Sequence, residues 1–238
     1  GTIVESLDNP TNIPQTVTYT FTTSANSCAD AVTVVSVIVN PTPQFTNLPD
    51  VATICSGDQL NFIPTSDVAG VVFTWSSAIS ANITGNTNGI GTIDDILTNT
   101  GDAIETVTYT VTATGPGPEF CVSATDEDYV VTVDPTVTQV ISNNDAVVCE
   151  GVGVDIDYDS PTENAVMSVQ AVYPGGVTGS VDYSAVTPLV FPGTIVESLD
   201  NPTNIPQTVT YTFTTSANSC ADAVTVVSVI VNPTPQFT

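Results

Sequence analysis

Residues Gly1–Thr46 return without a single change as Gly193–Thr238. GTIVESLDNPTNIPQTVTYTFTTSANSCADAVTVVSVIVNPTPQFT thus stands twice in 238 residues, at an offset of 193 − 1 = 192. Chance does not produce such an identity, and divergent duplication rarely leaves one untouched. The simplest reading is a tandem array with a 192-residue period, seen through a window slightly longer than one period. Whatever fold is assigned must therefore work as a repeat.

Inside the repeated stretch the pattern is that of strands. Val17, Tyr19 and Phe21 alternate with Thr16, Thr18 and Thr20, which puts one apolar face on a period of two. Ala31–Val39 reads as a second strand, and Asn40-Pro41-Thr42-Pro43 as a stiff linker, because proline opposes both helix and ladder. Thr, Val, Ile and Tyr dominate, with 17 Pro and 15 Gly as punctuation, and no stretch keeps a 3.6-residue period.

The cysteines reveal a second, older duplication. Cys28 is Cys220 one period earlier, so the five cysteines reduce to four per period. Cys55 in TICSGDQLNF and Cys149 in VVCEGVGVDI occupy similar contexts, 149 − 55 = 94 residues apart. Cys121 and Cys220 both follow a T-V-T-Y-T strand, 220 − 121 = 99 residues apart. Each period therefore holds two related domains with an early and a late cysteine. Pairing within domains gives Cys55–Cys121 and Cys149–Cys220, with Cys28 bonded to a cysteine outside the window. Closing such a loop contributes roughly 4 kcal/mol in the chain-entropy model and suits an oxidising setting. The alternative is free buried thiols; zinc is disfavoured by the lack of C-x-x-C spacing and of histidine.

The domain boundaries follow. Residues 1–40 are the C-terminal half of a second-type domain, 41–134 a first-type domain, 135–232 a second-type domain, and 233–238 the start of the next first-type copy. In the first-type domain, strands are predicted over 51–55, 59–64, 71–77, 91–98, 105–113, 120–124 and 129–133. Seven short strands at that spacing read as an antiparallel β-sandwich. Trp75, the only tryptophan, is expected as a core plug against the Cys55–Cys121 disulfide, a surface ligand-stacking role being the alternative. Tyr109 and Tyr211 are the corresponding core tyrosines of the two domains, and Val169 stands where Trp75 would be.

Charge excludes several functions. The chain has 25 acidic residues and no Lys, Arg or His. Nucleic-acid binding and attraction to anionic lipid both need cationic side chains. Imidazole and amine catalysis is likewise unavailable. Paired carboxylates could in principle hydrolyse glycosides, but the unit recurs with no other catalytic group, so the chain is not expected to be an enzyme. No run reaches the roughly 18 apolar residues of a membrane span. Disorder is opposed by 41% hydrophobic residues and a mean hydropathy of +0.25. Carboxylate clusters remain as candidate sites. Asp155, Asp157 and Asp159 alternate on one strand face, with Glu163 in reach, and calcium is the one metal they suit. Asp94, Asp95 and Asp102 form a second cluster, and Asp126, Glu127 and Asp128 a third. None matches an EF-hand loop; the plainer reading is solvated faces and turns.

Taken together, Cys55–Asp58, Phe73–Ser76, Val107–Ala113, Cys121 and Val131–Pro135 resemble the PKD-like, immunoglobulin-like repeats of giant surface and gliding adhesins of the Bacteroidota. The second domain matches at Cys149, Thr208–Thr214, Cys220 and Val229–Pro233 but departs at Val169. The resemblance implies an all-β, tandem array of immunoglobulin-like (PKD-like) antiparallel β-sandwiches, secreted, exposed at the cell surface and non-catalytic. The expected function is the stalk of an extracellular fibre or adhesin, giving reach and protease resistance. Its partner is itself, as a covalent array with lateral packing into a homopolymer or strand exchange as variants, and a surface polysaccharide is the candidate at a distal tip. The reading from another class is a glycan-binding module of a secreted protein, which calls for exposed rows of aromatic side chains.

Overall fold

Threonine alternating with Val, Tyr or Phe gives a strand one apolar and one hydroxylated face, and such strands bury the apolar face only by stacking sheet on sheet. The computed structural model describes residues 1–26 and 30–235, and the chain is all-β, with two β-sandwich domains. It divides into two compact units, Gly1–Leu97 with Thr106–Thr132, and Thr98–Glu105 with Val133–Thr238. The main division falls beside the Asp134-Pro135 junction.

The strands of the first half are β1 (Gln15–Thr23), β2 (Ala31–Val39), β3 (Asp50–Cys55), β4 (Val72–Ile79), β5 (Ile83–Thr84), β6 (Gly89–Ile90), β7 (Thr98–Asn99), β8 (Glu105–Thr114) and β9 (Glu127–Asp134). Strands β1 and β2 form a separate antiparallel hairpin, and β3, β9, β8, β4 and β6 lie side by side, in that order, in a five-stranded sheet. The second half contains β10 (Val140–Asn143), β11 (Val147–Cys149), β12 (Gly153–Asp159), β13 (Val166–Val172), β14 (Thr178–Gly179), β15 (Thr187–Leu189), β16 (Gly193–Asp200), β17 (Gln207–Ser216) and β18 (Ala223–Asn232). Here a four-stranded sheet, β10-β12-β16-β14, packs on a five-stranded one, β11-β18-β17-β13-β15. Val154, Ile156, Ile195 and Leu199 from the first meet Val169, Tyr211, Phe213, Val229 and Val231 from the second in one core.

Three predicted strands of the first-type domain are present only in pieces. Segments 59–64 and 91–98 face each other through isolated bridges, Gln59 to Ile96 and Phe62 to Ile93. Backbone bonds still link them, Leu60 N to Asp95 O and Phe62 N to Ile93 O among them, and the Asp95 side chain turns inward, where it accepts from Thr87 N and Oγ1 and from Tyr109 Oη. Segment 120–124 touches β8 through one bridge, Thr114 to Val122; the preceding Gly115-Pro116-Gly117-Pro118 widens the turn and supplies few donors.

Trp75 is buried on β4, its ring edge-on to Tyr109 at 5.5 Å and 82°. It packs against this tyrosine and the bare backbone of Gly89 on β6, and the Cys55–Cys121 disulfide expected beside it is not formed. A Cβ at Gly89 would stand 2.6 Å from Cζ2 of the Trp75 ring. Gly89→Ala is therefore expected to destabilise the first sandwich by about 1–3 kcal/mol through overpacking. Trp75 is the sole tryptophan, so the denaturant midpoint read from its fluorescence isolates that unit. An unchanged midpoint would contradict the packing.

Candidate functional site: the open hairpin and the cysteine poles

Because the 46 residues occur twice, the chain contains its own control. In the second unit GTIVESLD is strand β16, paired to β12 on one side and β14 on the other. At Gly1–Asp8 the same eight residues form no strand. The hairpin itself keeps its register in both places: Tyr19 stands opposite Val35, and Tyr211 opposite Val227. What changes is the cover. Phe213 and Val229 are wholly buried, whereas their counterparts Phe21 and Val37 are 44% and 41% exposed. In the second unit β17 and β18 are flanked by β13 and β11 and capped by the β12–β16 sheet. Among the described residues β1 and β2 have no third strand in their sheet. The result is an apolar, two-stranded face, which is marginal alone in water.

Two polar fixtures recur with the hairpin, and sequence reasoning missed both. A carboxylate lies 14 residues before each strand tyrosine: Glu5 and Tyr19, Asp95 and Tyr109, Glu197 and Tyr211. In every case the tyrosine hydroxyl donates to it. Glu197 is buried and also receives Tyr173 Oη at 3.2 Å. An asparagine 10 residues before each tyrosine clasps the start of the strand pair. Asn9 Nδ2 donates to Ile13 O and Val39 O, Asn99 Nδ2 to Ala103 O and Val133 O, and Asn201 Nδ2 to Ile205 O and Val231 O, all at 2.7–3.0 Å. The fixed spacing was the signal that could have found them.

The cysteines overturn the expected pairing. Cys121 and Cys149 are free thiols, while Cys55 and Cys220 are disulfide-bonded, so neither Cys55–Cys121 nor Cys149–Cys220 is formed. Strand direction is the physical reason. Strand β11 runs parallel to β18 and ends with Cys149 opposite Asn232, where the chain leaves the sandwich. Cys220 lies in the turn between β17 and β18, its N–H bonded to Ala217 O, at the other end of a ten-residue strand. That separation is about 30 Å, far beyond disulfide reach. The first-type domain repeats the layout. Cys55 closes β3, its carbonyl accepting from Asp58 N in the turn that follows, and the Cys121 carbonyl accepts from Gly115 N past the end of β8. Cys28 lies outside the described residues.

The acidic clusters do not converge. Asp155, Asp157 and Asp159 share the outer face of β12, as alternation dictates, and each is met by hydrogen-bond donors. Asp157 accepts from Thr194 Oγ1 at 2.6 Å and from Asn144 Nδ2 at 2.9 Å, and these bonds hold its carboxyl below the usual range. Asp155 accepts from the same Asn144 amide, Asp159 from Ser160 N, and Glu163 from Ile104 N. Asp95 points inward while Asp94 and Asp102 point out. Asp126 and Asp128 accept from Thr112 and Thr110, and Glu127 from Thr125. Among the described residues no group of three or more acidic or cysteine side chains is gathered as metal ligands would be. Phe21 and Phe120 are the exposed aromatic side chains among them, and they make no row.

Residues 52–137 match the PKD-like domain family. No curated protein matches the chain. Among solved structures it is similar to the N-terminal eight Ig domains of Down syndrome cell adhesion molecule (12% identity, TM-score 0.43, 94% of this chain and 33% of that one). It is also similar to extracellular cadherin domains 1–4 of protocadherin gamma B7 (12%, 0.35, 91% and 57%) and to mouse PcdhgC3 EC1-3 (11%, 0.41, 96% and 78%). The chain thus spans about half or less of the first two. Identities this low concern fold alone.

Burial raises the Glu197 carboxyl above its ordinary value of 4.5, with hydrogen bonds from Tyr211 and Tyr173 pulling the other way. A raised folded value means the folded state holds this proton more tightly. The stability it brings is complete below the unfolded value and is lost as pH rises through the folded one. Glu197→Gln, which keeps an acceptor for both tyrosines, is therefore expected to gain stability relative to the parent at pH 7 and to lose that advantage near pH 4. Thermal melts of both proteins across that range check it; a constant difference would contradict the assignment.

Proposed function

We propose that this chain is the repeating structural unit of an extracellular fibre or giant cell-surface adhesin stalk, in which each hairpin's open face is covered by the preceding copy of the repeat. The observation that carries this reading is the paired fate of the 46 identical residues. One copy is closed by the segment before it, residues 135–192, and the other lacks that segment and leaves its apolar face bare. The covering segment is part of the same 192-residue period, so a tandem chain supplies it in cis at every repeat. Strand exchange with a separate chain would supply the same residues, but a covalent array holds them at far higher effective concentration.

The remaining features agree with a stalk. Disulfide-bonded Cys55 and Cys220 suit an oxidising exterior, and trypsin-like enzymes have no Lys or Arg to cut after. The glycan-binding alternative called for an aromatic platform, and the two phenylalanines exposed among the described residues, Phe21 and Phe120, do not build one. The work done is mechanical: reach from the surface, with a polyanionic coat.

With strands running along the array, each sandwich adds roughly 40 Å and each period on the order of 80 Å. Electron micrographs of the native material are expected to show a thread about one domain wide with that axial repeat. Isolated globular particles would overturn the stalk, and a thick filament of different rise would place the function in lateral assembly.

A further inference from the structure

We infer that Cys149 of each period forms a disulfide with Cys121 of the period that follows, a covalent latch between successive copies. The inference rests on the array proposed above and goes beyond it, because a tandem chain with covered hairpins does not need the bond.

The placement comes from reading the two copies of the repeat against each other. In the second unit Cys149 stands opposite Asn232 in the β11–β18 pair, at the pole where the chain leaves the sandwich. Asn232 is Asn40 one period later. In the first unit, Asn40 and Pro41 line a cavity of 110 Å³ together with Gly115, Pro116 and Cys121. The linker is tucked in closely there: Pro41 and Pro43 are buried, and the site of a Gly115 Cβ lies 3.5 Å from Pro43 Cγ. Laying the second unit's hairpin onto the first therefore brings a Cys149 beside Asn40, on the rim of the cavity that holds Cys121. Both thiols are free here; Cys149 is exposed and Cys121 half-buried. In the 238-residue chain neither has its neighbour copy.

The internal duplication supplies the second argument. Cys55 is the early cysteine of its domain as Cys149 is, and Cys220 the late one as Cys121 is. The early cysteine of the first-type domain and the late cysteine of the second-type domain are both oxidised. The two that remain are the early cysteine of the second-type and the late cysteine of the first-type domain, and the repeat places them at the next junction along the chain. Bond formation breaks two Sγ–H bonds and makes one Sγ–Sγ bond. The two protons and two electrons pass to the disulfide of a thiol oxidoreductase, which leaves as a dithiol.

The test uses this chain lengthened by one further period and oxidised by a thiol oxidoreductase. Without reduction it is digested with an acidic-residue-specific protease, since trypsin has no sites, and the cross-linked peptides are identified by mass spectrometry. The expected result is a peptide pair joining Cys149 to Cys121. Cys121→Ser confined to the downstream copy removes it, and the same change confined to the upstream copy leaves it. Full alkylation of Cys149 and of both Cys121 residues in the folded, oxidised chain would overturn the latch, as would a cross-link that vanishes with the upstream substitution instead. Amide exchange of the inner Gln15–Val39 copy separates this from failure of the array. Free thiols with a protected inner hairpin sink the latch alone, and free thiols with a rapidly exchanging hairpin sink both.

Discussion

The structure depends on one demand: the apolar face of the T-V-T-Y-T-F hairpin must be covered. Two antiparallel strands satisfy their backbone groups toward each other but leave one face to water. Covering a Val or Phe that would otherwise be exposed contributes about 1.5–3 kcal/mol each. In the second unit that cover exists, and on the hairpin's inner face Val209, Tyr211, Phe213, Val229 and Val231 are buried. At residues 15–39 the same sequence keeps its register and loses its burial. Local alternation is enough to set the hairpin; only a second sheet makes it a core. GTIVESLD shows the same division more sharply, being a strand where β12 and β14 flank it and not a strand where they are missing.

Within that cover, each sandwich has a carboxylate on an inward position of its core, and donors are arranged to receive it. Glu197 accepts from Tyr211 and Tyr173, and Asp95 from Tyr109 and Thr87. With no cation in the chain, a buried acid can be compensated only by hydroxyl and amide donors. Burial and the neighbouring carboxylates raise the tyrosines far above their ordinary range, so these hydroxyls remain donors at any physiological pH. The asparagine clasp acts one turn earlier, tying the loop before the strand to the carbonyl of its partner. Together the two fixtures position the long strand at both its start and its middle.

Much of this was legible in the letters. The period of two in 15–23, 31–39, 105–114, 207–216 and 223–232 announces the strands, and the identical stretch announces the repeat. The cysteine pairing was not legible. Sequence order makes Cys149 and Cys220 look like the two ends of one domain's loop. Only the parallel run of β11 beside β18 reveals that they sit at opposite poles. The segments at 59–64 and 91–98 pair through isolated bridges and backbone bonds rather than as full strands, and the inward acid between Ile93 and Leu97 was not foreseen, although it lies in phase with those two buried residues. The same phase could have exposed Glu197. In Ile195-Val196-Glu197-Ser198-Leu199 the acid takes the inward position between two buried residues, a placement that only a dedicated donor set can support.

Charge sets the last constraint. Of 25 acids, 3 lie in the first copy of the repeat, leaving 22 negative charges per period and no positive one. No salt bridge can hold one module to the next or one thread to its neighbour. Lateral contact would press like charges together, and at physiological ionic strength screening works only beyond about 8 Å. Along the chain the situation differs. Successive modules are joined by covalent linkers, with Pro41 and Pro43 buried, and cohesion along a tandem chain can come from burial, backbone pairing and sulfur chemistry, none of which requires a cation. A polyanion built this way favours growth along its axis and resists packing across it. That asymmetry follows from composition and from the placement of cysteines at the poles rather than on the faces. For the proposed stalk, it is the physical ground for favouring single file over lateral packing.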